Sequence, residues 1–227
     1  MKNIARRIRD REKSIKIFAY VVLFWGLLGV GLQTARSLLG DSPLEYTLIT
    51  HFYFTTQSNI LITIVAILFL FKQKKGQGFT ILSFISLINI TVTGIVFHIL
   101  LTPYMSHVSF LNHVLHTINP LLYIMFYYLV LSDHLEIKKF WVSLIYPLIY
   151  MALVYTIIEP IFGDLMEQLM TTFESARYVY PFLDPSNYER GITGLILFNL
   201  GVLAPLICLI SFLLNYLKFR FEKNLLT

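Results

Sequence analysis

Apolar runs about twenty residues long recur along this chain, parted by short polar segments. A bilayer hydrocarbon core of about 30 Å requires about 20 mostly apolar helical residues. Six stretches meet that length, at 16–35, 49–71, 79–100, 108–131, 139–160 and 191–217. The pattern predicts an all-α polytopic membrane protein, a six-transmembrane-helix bundle. KIFAYVVLFWGLLGVGLQTA opens the series. It follows a basic leader without a small-residue cleavage signature, and so reads as an anchor. Pro120, Pro147 and Pro205 fall inside the runs, where neighbouring helices accommodate kinks. The glycines of GLLGVG are expected to be close-packing positions between helices.

Composition agrees. The hydrophobic set makes up 56% of the 227 residues and charged residues only 14%, against about 25% in soluble domains. Cys208 is the single cysteine, which excludes an intramolecular disulfide and a cysteine metal cluster. The formal charge of +5 acquires meaning from its placement. MKNIARRIRDREKSIK at the start holds seven basic residues, FKQKKGQG three, SDHLEIKK two and the tail from Lys218 three, leaving Arg36, Arg177 and Arg190 for the other side. By the positive-inside rule both termini are cytoplasmic. The basic balance then records topology, and no nucleic-acid partner is expected. The organisation is a leader (1–15), a transmembrane domain (16–217) and a cytoplasmic tail (218–227). The longest connection, 161–190, lies on the non-cytoplasmic side. Within it FGDLMEQLMTTFESARY suits an amphipathic surface helix, followed by VYPFLDPSNYERG.

Two polar stretches interrupt this apolar text, YFTTQSNILI at 53–62 and LNHVLHTINP at 111–120. In the second, Asn112, His113, His116 and Asn119 follow at spacings of three and four, which put side chains on neighbouring parts of one helix face. Such a stripe faces the bundle interior or a cavity, because lipid leaves donors and acceptors unpaired. Counted inward from the outer ends, Thr56 lies about 8 Å and His116 about 12 Å deep. Thr56 and Asn59 can share a face, while Thr55 is turned from Thr56 by about 100°. An imidazole can take the proton of a threonine hydroxyl and make it a nucleophile. Asn59, Asn112, Asn119, Thr117 and Tyr180 are candidate orienting or oxyanion groups. Three readings of these residues stay open: a network that locks helices together, a catalytic pair, and metal or proton handling. No HExxH pair occurs and no carboxylate lies beside the histidines within a segment, so no metal or other cofactor is expected. A cavity of this kind would also serve a non-enzymatic lipid or small-molecule binding protein or a transporter.

FTTQSN, LNHVLHT and YVYPFLDP (178–185) together carry a resemblance. The chain resembles the Pr6Pr family of bacterial membrane proteins, themselves similar to the androgen-induced gene 1 and androgen-dependent TFPI-regulating proteins, over about 15–217. The resemblance implies a multipass hydrolase that cleaves fatty acid esters of hydroxy fatty acids through a threonine and a histidine. In that pattern Thr56 takes the nucleophile position and Asn59 the polar position after it, with Thr55 next should the register shift by one. His116 matches the second histidine of NHxxHT, and His113 matches the first, as a supporting group. Membrane lipids or lipid-like esters are the implied partners. Two departures stand out: TTQSN is more polar than the relatives' stretch, and the outer connection is long.

Overall fold

The computed structural model describes residues 2–10, 12–71, 76–102, 105, 107–170 and 176–226. The lysines of FKQKKGQG, and the middle of the expected surface helix, lie outside them. The chain is all-α. Helix α1 (Lys2–Arg9) precedes α2 (Glu12–Leu38), α3 (Pro43–Phe52), α4 (Phe54–Phe71) and α5 (Gln77–Val96), which runs on through a π turn, Phe97–Leu101. Next, α6 (Phe110–His113) passes through a π turn, Val114–Ile118, into α7 (Asn119–Leu129). A 3-10 stretch, Ile137–Leu144, leads into α8 (Ile145–Leu153), a π turn, Val154–Phe162, and α9 (Gly163–Leu169). The last rod is α10 (Gly191–Phe198), a π turn, Asn199–Leu203, and α11 (Ala204–Leu226).

Five continuous helical stretches among the described residues are long and apolar enough to cross a membrane. They are Glu12–Leu38, Phe54–Phe71, Gln77–Ile99, Ile137–Leu169 and Gly191–Leu225. The expected fourth segment is helical from 110 to 129 but is not among the five, since polar residues fill its first half. The outward faces are apolar: Phe24, Leu27, Ile149, Ile161, Leu200 and Leu209 are all exposed. Water would penalise that surface, whereas lipid tails match it. The architecture is that of a polytopic membrane protein.

Helices α2, α4, α5 and α7 pack on one another around a core that includes Ile62, Phe84, Leu87, Tyr123 and Phe126. A second cluster, with Ile49, Tyr150, Ile158, Met166 and Leu183, lies under α9 and the connection that follows it. Of the expected surface helix at 162–178, the first part is present as α9, and Ala176–Tyr178 form a 3-10 turn. Arg177 ties the connection down through Glu159 and Asp164.

Two local features differ from a set of straight rods, and both have identifiable causes. The second expected segment, 49–71, is not one helix: Tyr53 is extended (φ −65°, ψ 133°) between α3 and α4. Side chains take the carbonyls released at the end of α3. Thr56 Oγ1 donates to Thr50 O (2.6 Å), Gln57 Nε2 to His51 O (3.2 Å) and Tyr150 Oη to Phe52 O (3.0 Å). Three of the four π turns accompany prolines. Pro120 and Pro205 have no N–H to give to the carbonyl four residues back. In the preceding turn, Asn119 N–H reaches Val114 O and Ala204 N–H reaches Asn199 O, each five residues back. Pro160 lies inside the third such stretch.

The GLLGVG glycines divide by position. A Cβ on Gly29 would sit 2.9 Å from Leu115 Cδ2 and 3.0 Å from Asn119 Nδ2, and one on Gly26 would strike Thr63 Oγ1; at Gly31 nothing lies within 4 Å. We expect Gly29→Val to destabilise the protein by about 1–3 kcal/mol through overpacking, while Gly31→Val leaves the melting temperature in detergent nearly unchanged. Equal shifts for the two would refute this close approach.

Candidate functional site

The break at Tyr53 decides which threonine faces the polar stripe. Because α4 starts afresh at Phe54, Thr55 lies in its first turn. Its Oγ1 is 3.3 Å from His116 Nε2. Thr56 points elsewhere, fully buried, with its hydroxyl committed to Thr50 O. The expected threonine–histidine contact is therefore made by Thr55 and not by Thr56.

His116 is held from three sides. Its Nδ1 is 3.0 Å from Asn112 O, four residues back on the same helix. A carbonyl only accepts, so Nδ1 carries the ring hydrogen and Nε2 presents its lone pair to Thr55. The ring stacks on Phe97, 4.0 Å between centroids and 15° between planes. Beneath it the π turn lies against Gly94, where a Cβ would come 3.1 Å from His116 O. Ring orientation and tautomer are both fixed before any ligand arrives.

Tyr180 completes the group from the outer connection. Its phenol lies near the Thr55 side chain and the Phe54 and Thr55 backbone, at the start of α4. The first N–H groups of a helix have no partner within it, and they carry partial positive charge. A hydroxyl placed there marks a site suited to developing negative charge. Burial pushes the Tyr180 phenol up to about 12, against the opposing pull of the Thr55 and Phe54 groups near it. It stays a protonated donor throughout the neutral range. The ring stacks on Phe182 at 5.2 Å and meets Tyr53 edge-on at 5.8 Å. Its neighbour Val179 is buried with φ at +69°. That conformation is an outlier for a β-branched residue, and strain of this kind clusters where a side chain must be aimed.

The remaining polar residues of the two stretches hold helices together. Asn59 Nδ2 donates to Thr55 O (2.9 Å) and Leu115 O (3.2 Å), while Asn59 Oδ1 accepts from Asn119 Nδ2 (2.6 Å). Asn119 also reaches Trp25 O. The pair thus links α2, α4 and the π turn, and neither amide is aimed at Thr55 Oγ1. Asn112 serves His116 through its main-chain carbonyl rather than its amide. His113 is exposed, and Thr117 Oγ1 is 2.9 Å from His98 Nε2. Among the described residues, no three His, Cys, Asp or Glu side chains converge on one point.

Thr55, His116 and Tyr180 line a cavity of about 200 Å³ bounded by α4, α5, α8, α10 and α11. Its wall is overwhelmingly apolar, with residues such as Val96, Leu148, Met151, Leu203 and Ile207. Thr93, Tyr150 and Asn199 are polar wall residues not anticipated from the sequence. Asn199 enters from α10 at the edge of its π turn, where it is the only amide in the run GITGLILFNLGVL. That isolation was the available signal.

No family model matches the chain, and neither the curated proteins nor the solved structures yield a match.

Proposed function

We propose that this chain is a membrane-embedded ester hydrolase of the Pr6Pr type, with Thr55 as nucleophile and His116 as general base. The observation that carries the reading is the oriented pair: His116 Nδ1 is committed to Asn112 O, and Nε2 faces Thr55 Oγ1 at 3.3 Å. That is the spatial requirement for an activated hydroxyl. The apolar cavity around it suits an acyl chain, which supports a lipid ester as substrate. In this reading the helix from 110 to 129 is the sixth membrane span, and the basic segments support cytoplasmic termini. The site then opens toward the non-cytoplasmic leaflet.

The steps balance without a further reagent. His116 Nε2 takes the proton of Thr55 Oγ1 as that oxygen bonds to the acyl carbonyl carbon. The oxyanion forms at the start of α4, where the Tyr180 hydroxyl donates to it. As the tetrahedral intermediate collapses, the alcohol leaves with the proton held on Nε2, and an acyl-threonine remains. Water attacks that ester, with His116 again accepting a proton, and the acid is released as Thr55 is restored.

A lipid-type phosphonate probe tests this in detergent-solubilised protein. The expected adduct is on Thr55, mapped by mass spectrometry. It should vanish in Thr55→Ala, weaken strongly in His116→Ala and persist in Thr56→Ala. Folded protein that admits the probe and takes no adduct would refute the hydrolase. The non-enzymatic lipid-binding reading, favoured by the apolar wall, would then replace it.

A further inference from the structure

A second cavity, of about 320 Å³, lies at the other end of the bundle, between the starts of α2 and α5 and the ends of α4 and α7. The proposed hydrolysis uses nothing there. Its walls are apolar and partly aromatic, with Ile15, Phe69, Phe79 and Leu131. The Phe69 and Phe79 rings lie 6.4 Å apart, tilted by 37°. Tyr127 and Ser83 also line it, each only 1% exposed. Among the described residues neither Tyr127 Oη nor Ser83 Oγ has a hydrogen-bond partner. Tyr123 Oη donates to the main-chain oxygen of Ser83 (3.1 Å), and Lys218 meets Tyr127 through its main-chain oxygen (2.8 Å), so both hydroxyls are left over. A buried hydroxyl costs free energy unless a partner reaches it. Two of them on one cavity point to a ligand that supplies the partner.

The charges lie at the rim. Glu12 and Lys16 pair with each other at 2.6 Å, both more than half exposed, and Asp133 is exposed. The Lys218 ammonium stands 5.2 Å from the Tyr127 ring centroid but is spent on Tyr127 O and Glu222. The buried part of the cavity thus offers hydroxyls and apolar rings. We propose that it binds an uncharged flat ring bearing carbonyl acceptors, the quinone class, whose oxygens accept from Tyr127 Oη and Ser83 Oγ. A charged head would give up its hydration with no counter-charge beside the hydroxyls. A saturated chain would leave both hydroxyls unpaired. A ring carbonyl accepts without carrying charge, and its flat body packs beside Phe69 and Phe79. The volume falls within the range of small-molecule pockets, about 300–1,000 Å³.

The test compares two probes of one shape, 2,3-dimethyl-1,4-naphthoquinone and 2,3-dimethylnaphthalene. Equilibrium dialysis at a fixed detergent concentration lets partition into micelles cancel between parent and variants. Tyr127→Phe and Ser83→Ala should each weaken quinone binding about three- to ten-fold, the increment of one hydrogen bond, and leave the hydrocarbon unchanged. Both variants should melt as the parent does, because no partner within the protein is lost. Lower melting temperatures in both would show that the hydroxyls hold the bundle together, and would overturn the site. Quinone that fails to bind the parent would overturn it too, as would variants that change both probes alike or neither. Thr55→Ala, in the far cavity, should leave quinone binding unchanged, so failure here does not touch the hydrolase.

Discussion

Thr55→Ala and His116→Ala are each expected to lower lipid-ester hydrolysis by about a thousandfold or more, the scale set by losing a nucleophile or its base. Thr56→Ala should behave differently. Its hydroxyl closes the end of α3 by donating to Thr50 O, so its loss leaves a buried carbonyl short of a partner and costs about 1–3 kcal/mol of stability. Turnover per folded molecule should stay within a few-fold of the parent. The double variant Thr55→Ala/His116→Ala should be scarcely worse than either single, because the two groups act as one unit. Steady-state hydrolysis of a long-chain ester, normalised to folded protein, separates these outcomes. If Thr56→Ala proved the inactive variant and Thr55→Ala the active one, the site would have to be rebuilt around a continuous 49–71 helix.

Much of the architecture was legible as text. Apolar run length anticipates the long helices, and the polar first half of 108–131 anticipates a helix turned inward. Which threonine meets His116 was not legible, because it depends on the break at Tyr53. That break is held by partners distant in sequence, notably Tyr150 on Phe52 O. Spacing along a continuous helix puts Thr56 and Asn59 on one face, and Asn59 is indeed drawn inward, but toward Asn119 and Leu115 O. The prolines were visible, yet only the packed structure turns Pro120 into a widened turn that seats His116. The role of Tyr180 hides in the same way. Its segment is irregular, and its aim comes from a left-handed Val179 that no periodicity encodes. Asn199 went unremarked in its apolar run and acquires meaning only from the cavity beside it.

Glu222→Ala is expected to destabilise the protein by about 3–5 kcal/mol, the cost of stripping one member from a buried charged group. Basic residues of the leader and tail also hold the helices together. Lys218 is 0% exposed, and its ammonium donates to Tyr127 O at 2.8 Å and lies 2.6 Å from Glu222 Oε1. Arg9 forks onto both oxygens of Glu222 at 2.7 Å, and also reaches Leu129 O (3.1 Å) and Leu131 O (2.8 Å). Those carbonyls belong to the end of α7 and the residues just beyond it. Helix C-terminal carbonyls lack helical partners and carry partial negative charge. Two cations from opposite ends of the chain therefore cap one helix, and Glu222 keeps them from repelling each other. Without its carboxylate, Arg9 and the buried Lys218 face one another in a largely buried site. Replacing both partners on α11, as in Lys218→Met/Glu222→Leu, removes a charge of each sign and should recover a large part of the loss. Thermal unfolding in detergent would show Glu222→Ala far below the parent and the double variant between them. A double variant no better than Glu222→Ala would mean that the capping of α7 by Lys218, rather than charge balance, dominates the clamp.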